Sequence, residues 1–131
     1  MVPDDLKDAL RLTVQAALDK KGFQIVVLDV SELTSYADGF VLCSAANLRQ
    51  IAAIADEVSQ RLGKSGRLPL HVEGQARSEW VLLDFGDFIV HLFTEEKRGY
   101  YALDALWGDA PRLSAESLGV ETASRPLRPG R

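Results

Sequence analysis

Asp84 and His91 are the two side chains of this sequence best placed to move a proton. They lie in the run WVLLDFGDFIVHLF, Trp80 to Phe93. This run reads as two strands joined by a Gly86-Asp87 turn, with glycine supplying the positive φ that a type II′ hairpin asks of its first turn position. Closing the loop between Phe85 and Phe88 sets Leu83 opposite Val90, Leu82 opposite His91, Val81 opposite Leu92 and Trp80 opposite Phe93. Asp84 and His91 then become diagonal neighbours on one face, within reach of each other. With Ser44 or Cys43 as nucleophile they would supply the parts of covalent catalysis. No Gly-x-Ser-x-Gly elbow accompanies them, and no loop offers an oxyanion hole. The alternative is that the two side chains satisfy one another, or cap a helix docked above them.

Other chemistries lack their spacing. The two histidines, His71 and His91, stand twenty residues apart with no HxxxH, HExxH or CxxC pattern, so no metal is expected. Nucleotidyl transfer wants two carboxylates two residues apart on one strand face. Asp84 and Asp87 are three apart and Asp87 falls in the turn. There is no P-loop and no GxGxxG, and no cofactor is expected. The one cysteine, Cys43, sits in an apolar strand and reads as a small buried hydrophobe.

The elements that position these residues follow from periodicity. Leu6, Ala9, Leu10, Thr13, Val14, Ala17 and Leu18 recur at helical spacing over Asp4 to Lys21, with Gly22 as the natural left-handed residue past the end. Gln24 to Val30 is a β-branched run that reads as a strand buried on both faces. Asp38-Gly39 turns the chain into a second buried strand, Phe40–Ser44. The connection is too short for a helical crossover, so the two strands are expected antiparallel. A second helix runs over 45–63, capped by Asn47 and burying Leu48, Ile51, Ala52, Ala55, Val58 and Leu62. Its N-terminus could attract an anion, but Ser44-Ala45-Ala46-Asn47 has no glycine to let backbone approach a phosphate. Leu68–Gly74 is a third strand, put at an edge by Pro69. Thr94 can cap a third helix over Glu95 to Trp107. From Gly108 onward periodicity stops and Pro111, Pro126 and Pro129 appear. This gives one α/β domain over 1–107, with a mixed five-stranded sheet packed by helices, and a largely disordered tail over 108–131.

The hairpin has one face with no polar side-chain atom, formed by Val81, Leu83, Phe85, Phe88, Val90 and Leu92. The other face carries Trp80, Leu82, Asp84, Ile89, His91 and Phe93 and is either covered by helices or open to a partner. Trp80, Phe93, Tyr100, Tyr101 and Trp107 crowd into one 28-residue window, and Trp and Tyr are enriched in interface hot spots. Net charge is −4; residues 1–107 hold 11 Lys/Arg against 16 Asp/Glu, and residues 108–131 hold 4 against 3. An acidic domain is poorly suited to phosphate backbones and better suited to a basic protein. No apolar run approaches the ~20 residues of a membrane helix. The acidic opening MVPDDLKDAL lacks the character of a signal or transit peptide, so a cytoplasmic resident is expected.

An ordered set of short features resembles the ribosomal silencing factor family, also called RsfS or Iojap. They are Val27-Leu28-Asp29-Val30, Ala37-Asp38 with Phe40, Cys43-Ser44, Arg49-Gln50 and Ala53-Ile54-Ala55-Asp56. Then come Glu73-Gly74, Trp80-Val81-Leu82-Leu83-Asp84, Gly86-Asp87, Val90-His91, Glu95-Glu96, Arg98, Tyr101 and Leu106-Trp107. The likeness covers nearly all of residues 4–111. It departs at Ser44-Ala45-Ala46-Asn47, where the family usually has Ser-Gly-x-Ser, and at Ala76-Arg77-Ser78-Glu79, where the family is glycine-rich.

The resemblance implies a nucleotidyltransferase-like fold without the catalytic carboxylates, and a job that is not enzymatic. It implies binding to the large ribosomal subunit through ribosomal protein L-fourteen. Such binding would obstruct joining of the small subunit and lower translation when nutrients run short. It also implies a homodimer off the ribosome. A large-subunit assembly factor and a degenerate nucleotidyltransferase that still binds nucleotide remain the alternatives. Neither a membrane nor sequence-specific nucleic acid is expected as a partner. Faces and resemblance together allocate partner contact to Trp80, Leu82, Tyr101 and Trp107 for apolar area, and to Glu73, Asp84, Glu95 and Glu96 for charge.

Overall fold

The computed structural model describes residues 4–74, 78–101, 108 and 110–120. Helix α1 spans Asp4–Asp19, β1 Phe23–Asp29, β2 Gly39–Ala45 and α2 Leu48–Lys64. They are followed by β3 His71–Glu73, β4 Trp80–Asp84, β5 Phe88–Thr94 and α3 Glu95–Tyr101, with a last short helix, α4, at Ala115–Leu118. The five strands form one sheet in the order β1-β2-β5-β4-β3. β1 and β2 are antiparallel, as their short connection requires, while β2 and β5 run parallel. The chain makes that parallel step by crossing over through α2, β3 and β4.

The hairpin register is the expected one, from Trp80 opposite Phe93 to Asp84 opposite Ile89. Gly86 supplies its positive φ of 96°, and Phe85 N–H donates to the Phe88 carbonyl at 2.9 Å. β3 is the edge strand that Pro69 suggests, though shorter than the run Leu68–Gly74.

Helices α1 and α2 pack together over the wholly apolar face of the sheet, joining Leu6, Leu10, Ile51, Ile54 and Val58 to Val41, Val81, Leu83, Phe88, Val90 and Leu92 in one buried cluster. Asn47 caps α2, its Oδ1 accepting from Gln50 N–H at 2.9 Å. The cap is worth about 1 kcal/mol. Burying Ile51, Ile54, Val58 and Leu62 is worth about 1.5–3 kcal/mol each. The apolar stripe therefore holds α2 in place and the cap only sets where it begins. The stripe is rotated slightly from the expected one: Ile54 is buried and Ala52 is exposed.

Three expectations are corrected. The left-handed residue after α1 is Lys21, with φ 71°, not Gly22. Gly22 is needed for space, since a Cβ there would come within 2.6 Å of Cys43 Sγ. β1 is an edge strand, half-buried over most of its length, rather than a strand buried on both faces. Its bulge near Gln24, with φ 51°, breaks the register between Phe23 and Val26. Finally, the stretch after Trp107 assigned to a tail contributes to the core. Asp29 N–H donates to the Pro111 carbonyl and Leu113 N–H to the Val27 carbonyl, both at 2.8 Å, so residues 111–113 cover the free edge of β1. Ala110, Leu118 and Val120 are buried. No apolar periodicity announces this segment, because backbone pairing and three isolated side chains anchor it. Residues 121–131 lie outside the described residues.

Candidate partner-binding face

Side chains alternate across a strand, so the observed register fixes which residues share the second face of the sheet. Glu73, Leu82 and His91 fall in one row across β3, β4 and β5. His71, Asp84, Ile89 and Phe40 fall in the next. Trp80 and Phe93 form the row on the other side of Leu82 and His91. The centre of this face is sealed: Phe40, Leu42, Phe93, Leu28 and Ala110 make a second buried cluster. Towards β3 it opens. Trp80, Leu82, Asp84 and Ile89 are half-buried, and His71 and Glu73 are exposed, with His71 Nε2 2.9 Å from Glu73 Oε2. Among the described residues, half of the face is thus buried and half is only partly covered or exposed.

The two residues best suited to acid–base work do not pair. His91 is buried, and its Nδ1 accepts from the Trp80 indole N–H at 3.2 Å. Burial holds its pKa down to about 4, so the ring is neutral at physiological pH. Asp84 turns instead to its own chain, Oδ1 accepting from Gly86 N–H at 2.8 Å. The expectation that Asp84 and His91 satisfy one another is therefore replaced by two separate bonds. The first fixes the indole of Trp80 and the second fixes the turn. Trp80 also lies 5.9 Å from the His91 ring and 6.2 Å from Phe93, centroid to centroid.

The would-be nucleophiles are engaged elsewhere. Cys43 is fully buried and its thiol is pushed up to about 12 by burial, only partly offset by the nearby Arg98 guanidinium. It is not a thiolate at neutral pH. Ser44 is buried and donates to Gln24 Oε1 at 2.8 Å, while Arg98 Nη1 donates to its hydroxyl at 3.0 Å. Arg98 also donates to the Gln24 carbonyl and lies over the Phe93 ring at 5.7 Å. This buried arginine pins α3 to the β1 bulge. Sequence reading missed its structural role, since nothing in Glu95-Glu96-Lys97-Arg98 marks one of four charges as buried.

At the N-terminus of α2, two of the amides near an incoming anion are already engaged. Ala46 N–H donates to Gln50 Oε1, and Gln50 N–H to Asn47 Oδ1. Gln50 Nε2 in turn donates to the Lys20 and Lys21 carbonyls. Among the described residues no group of three or more His, Cys, Asp and Glu could hold a metal ion. No helix among them is long and apolar enough to cross a membrane.

Of the eight residues expected to meet a partner, Glu73, Trp80, Leu82 and Asp84 come together on the open half of the face. Glu95 does not join them: its Oε2 accepts from Gln24 Nε2 at 3.3 Å, on the opposite edge strand. Four strand spacings, roughly 19 Å, separate β1 from β3. Glu96 is exposed in the first turn of α3. Tyr101 closes α3, and Trp107 lies outside the described residues.

Tyr36 was not foreseen. It is 55% exposed and stacks on Phe40 with ring centroids 6.2 Å apart, extending the aromatic run from the β1–β2 loop onto this face. Its loop is polar, and only the tertiary contact reveals it.

The family model described as "Ribosomal silencing factor during starvation" matches residues 3–129. The ribosomal silencing factor RsfS of Halalkalibacterium halodurans is 38% identical over 112 residues, which cover 86% of this chain and 96% of that protein. The Bacillus subtilis protein of the same name is 37% identical, covering 80% of this chain and 89% of its own length. A more distant relative, the chloroplastic protein Iojap of Arabidopsis thaliana, is 31% identical, over 94% of this chain and 51% of its own length. A crystal structure of a Chromobacterium violaceum protein superposes with a TM-score of 0.75 at 36% identity, covering 78% of this chain and 85% of that one. The family match runs over nearly the whole chain, and the chain belongs to the ribosomal silencing factor family.

Proposed function

We propose that this protein docks the open half of its second sheet face on ribosomal protein L-fourteen of the large subunit. There it sterically blocks joining of the small subunit, and it lowers translation when nutrients are limiting. The observation that carries the reading is the juxtaposition of Trp80, Leu82, Asp84 and Glu73 on a rigid hairpin and its neighbouring edge strand. The indole gives a large apolar contact, already oriented by His91, so little side-chain entropy is lost on docking. The carboxylates suit a basic ribosomal protein and act on encounter rate and specificity. Nothing in this arrangement asks for turnover of a substrate. The role is regulatory, exercised in the cytoplasm, with the protein pairing with a second copy when off the ribosome.

The test is co-sedimentation with purified large subunits. The Trp80→Ala, Asp84→Ala double variant is expected to bind at least about tenfold more weakly than the parent. Undiminished binding by that variant overturns the reading. A gain of subunit joining in the variant's presence, read from sucrose-gradient profiles, follows if blockade is the mechanism.

A further inference from the structure

The two edges of the sheet are treated differently. The free edge of β1 is covered by the chain's own residues 111–113. The edge of β3 is covered by nothing among the described residues, and all three of its residues are exposed. An open strand edge is a template for pairing and is ordinarily blunted by charge, proline or a bulge. Here Pro69 precedes the strand and Glu73 ends it, yet the alternate positions are apolar and bare: Leu68 is 71% exposed, Leu70 75% and Val72 45%. These are three of the five large hydrophobics exposed among the described residues.

Beside them runs a groove of about 350 Å³ between α2 and the sheet, lined by Ile51, Ala55, Val72, Val81 and Leu83 among others. Asp56 stands exposed on its wall, and Glu73 stands on the other side of the same edge strand. Arg67, which precedes Leu68, is taken up by Asp87 at 2.8 Å.

We propose that the partner adds an extended segment to the edge of β3 as a sixth strand. Apolar side chains at alternate positions of that segment enter the α2–β3 groove. Intervening basic side chains lie over Glu73 and Asp84. This inference rests on the proposed docking face and names the form of the segment that meets it. Strand addition of this kind draws affinity from main-chain hydrogen bonds and specificity from pockets for alternate side chains. An open edge next to an apolar groove with carboxylates on either side offers both.

The experiment compares large-subunit binding by three full-length proteins: the parent, Leu70→Lys with Val72→Lys, and Trp80→Ala with Asp84→Ala. Leu70 and Val72 are exposed, so the lysine variant is expected to melt close to the parent. It is also expected to bind about tenfold more weakly. Since Leu70 N–H already donates to the Asp84 carbonyl, hydrogen exchange is expected to show a gain of protection over residues 71–73 in the subunit-bound parent relative to the free protein.

If the Trp80/Asp84 variant loses binding while the lysine variant keeps it, the docking face stands and the strand addition falls. If both retain full binding, both fall. If the lysine substitutions turn a dimer into a monomer without changing subunit binding, the edge serves a second copy and the proposal is overturned. Exchange over 71–73 that is unchanged by binding overturns it as well.

Discussion

His91 illustrates how burial, not spacing, decides what a titratable residue does. Its ordinary pKa near 6.5 falls to about 4 because the folded protein disfavours the charged ring. The unfolded chain therefore binds a proton before the folded one does. Stability from this group is complete above pH 6.5 and is lost as pH falls towards 4. The full span corresponds to about 3 kcal/mol. Chemical denaturation between pH 7 and 4.5 is expected to show this decline in the parent and a flatter profile in His91→Gln. Equal slopes would mean the ring is not buried and neutral. Trp80→Phe removes the donor to His91 Nδ1 while keeping an aromatic ring. An expected loss of about 1 kcal/mol in equilibrium unfolding reports that bond. Gly22→Ala is expected to cost about 1–3 kcal/mol, because its Cβ would meet Cys43 Sγ at 2.6 Å and the Ala17 carbonyl at 3.0 Å.

At the scale of elements, Arg98 and the segment after Pro111 hold the β1 side of the sheet together. Arg98 Nη1 reaches the Ser44 hydroxyl and the Gln24 carbonyl from α3. Replacing it by methionine leaves those buried groups short of a donor, an expected cost of about 1–3 kcal/mol in urea unfolding. Leu118, carried by the short helix α4, is buried against the main core. Leu118→Ala is expected to cost about 2–3 kcal/mol. A cost below about 0.5 kcal/mol, the range of ordinary surface substitutions, would place that helix outside the folded unit. The hairpin itself is held chiefly through its turn and through Phe88 and Val90 in the core, and meets Arg98 at the Phe93 ring. Losses at the β1 edge should therefore lower stability without altering the face that Trp80 presents.

For the molecule as a whole, the net charge of −4 and the carboxylates Glu73 and Asp84 on the open face favour encounter with a basic surface. Association with large subunits is expected to slow several-fold between about 50 and about 300 mM salt, with a smaller change in dissociation rate. Stopped-flow measurement would show it, and a salt-independent on-rate would leave the apolar contacts alone responsible. The same architecture explains why one sheet serves two purposes. The face covered by α1 and α2 supplies the main core; the opposite face is buried over β2 and much of β5, while among the described residues β4 is half-buried there and β3 exposed.

The hairpin register, the cap at Asn47, the antiparallel β1–β2 pair and the apolar face of Val81, Leu83, Val90 and Leu92 could all be read in the sequence. Each depends on local spacing or on turn chemistry between neighbours in the chain. Tertiary structure alone decided that His91 bonds Trp80 rather than Asp84, that Arg98 is buried and that the Glu95 carboxylate meets Gln24 of β1. It alone decided that Pro111 to Leu113 complete the β1 edge and that Leu68, Leu70 and Val72 are left bare. These outcomes depend on which strands become neighbours and on what covers them. Burial and hydrogen-bond choice are set by residues tens of positions away, and local periodicity carries no record of them.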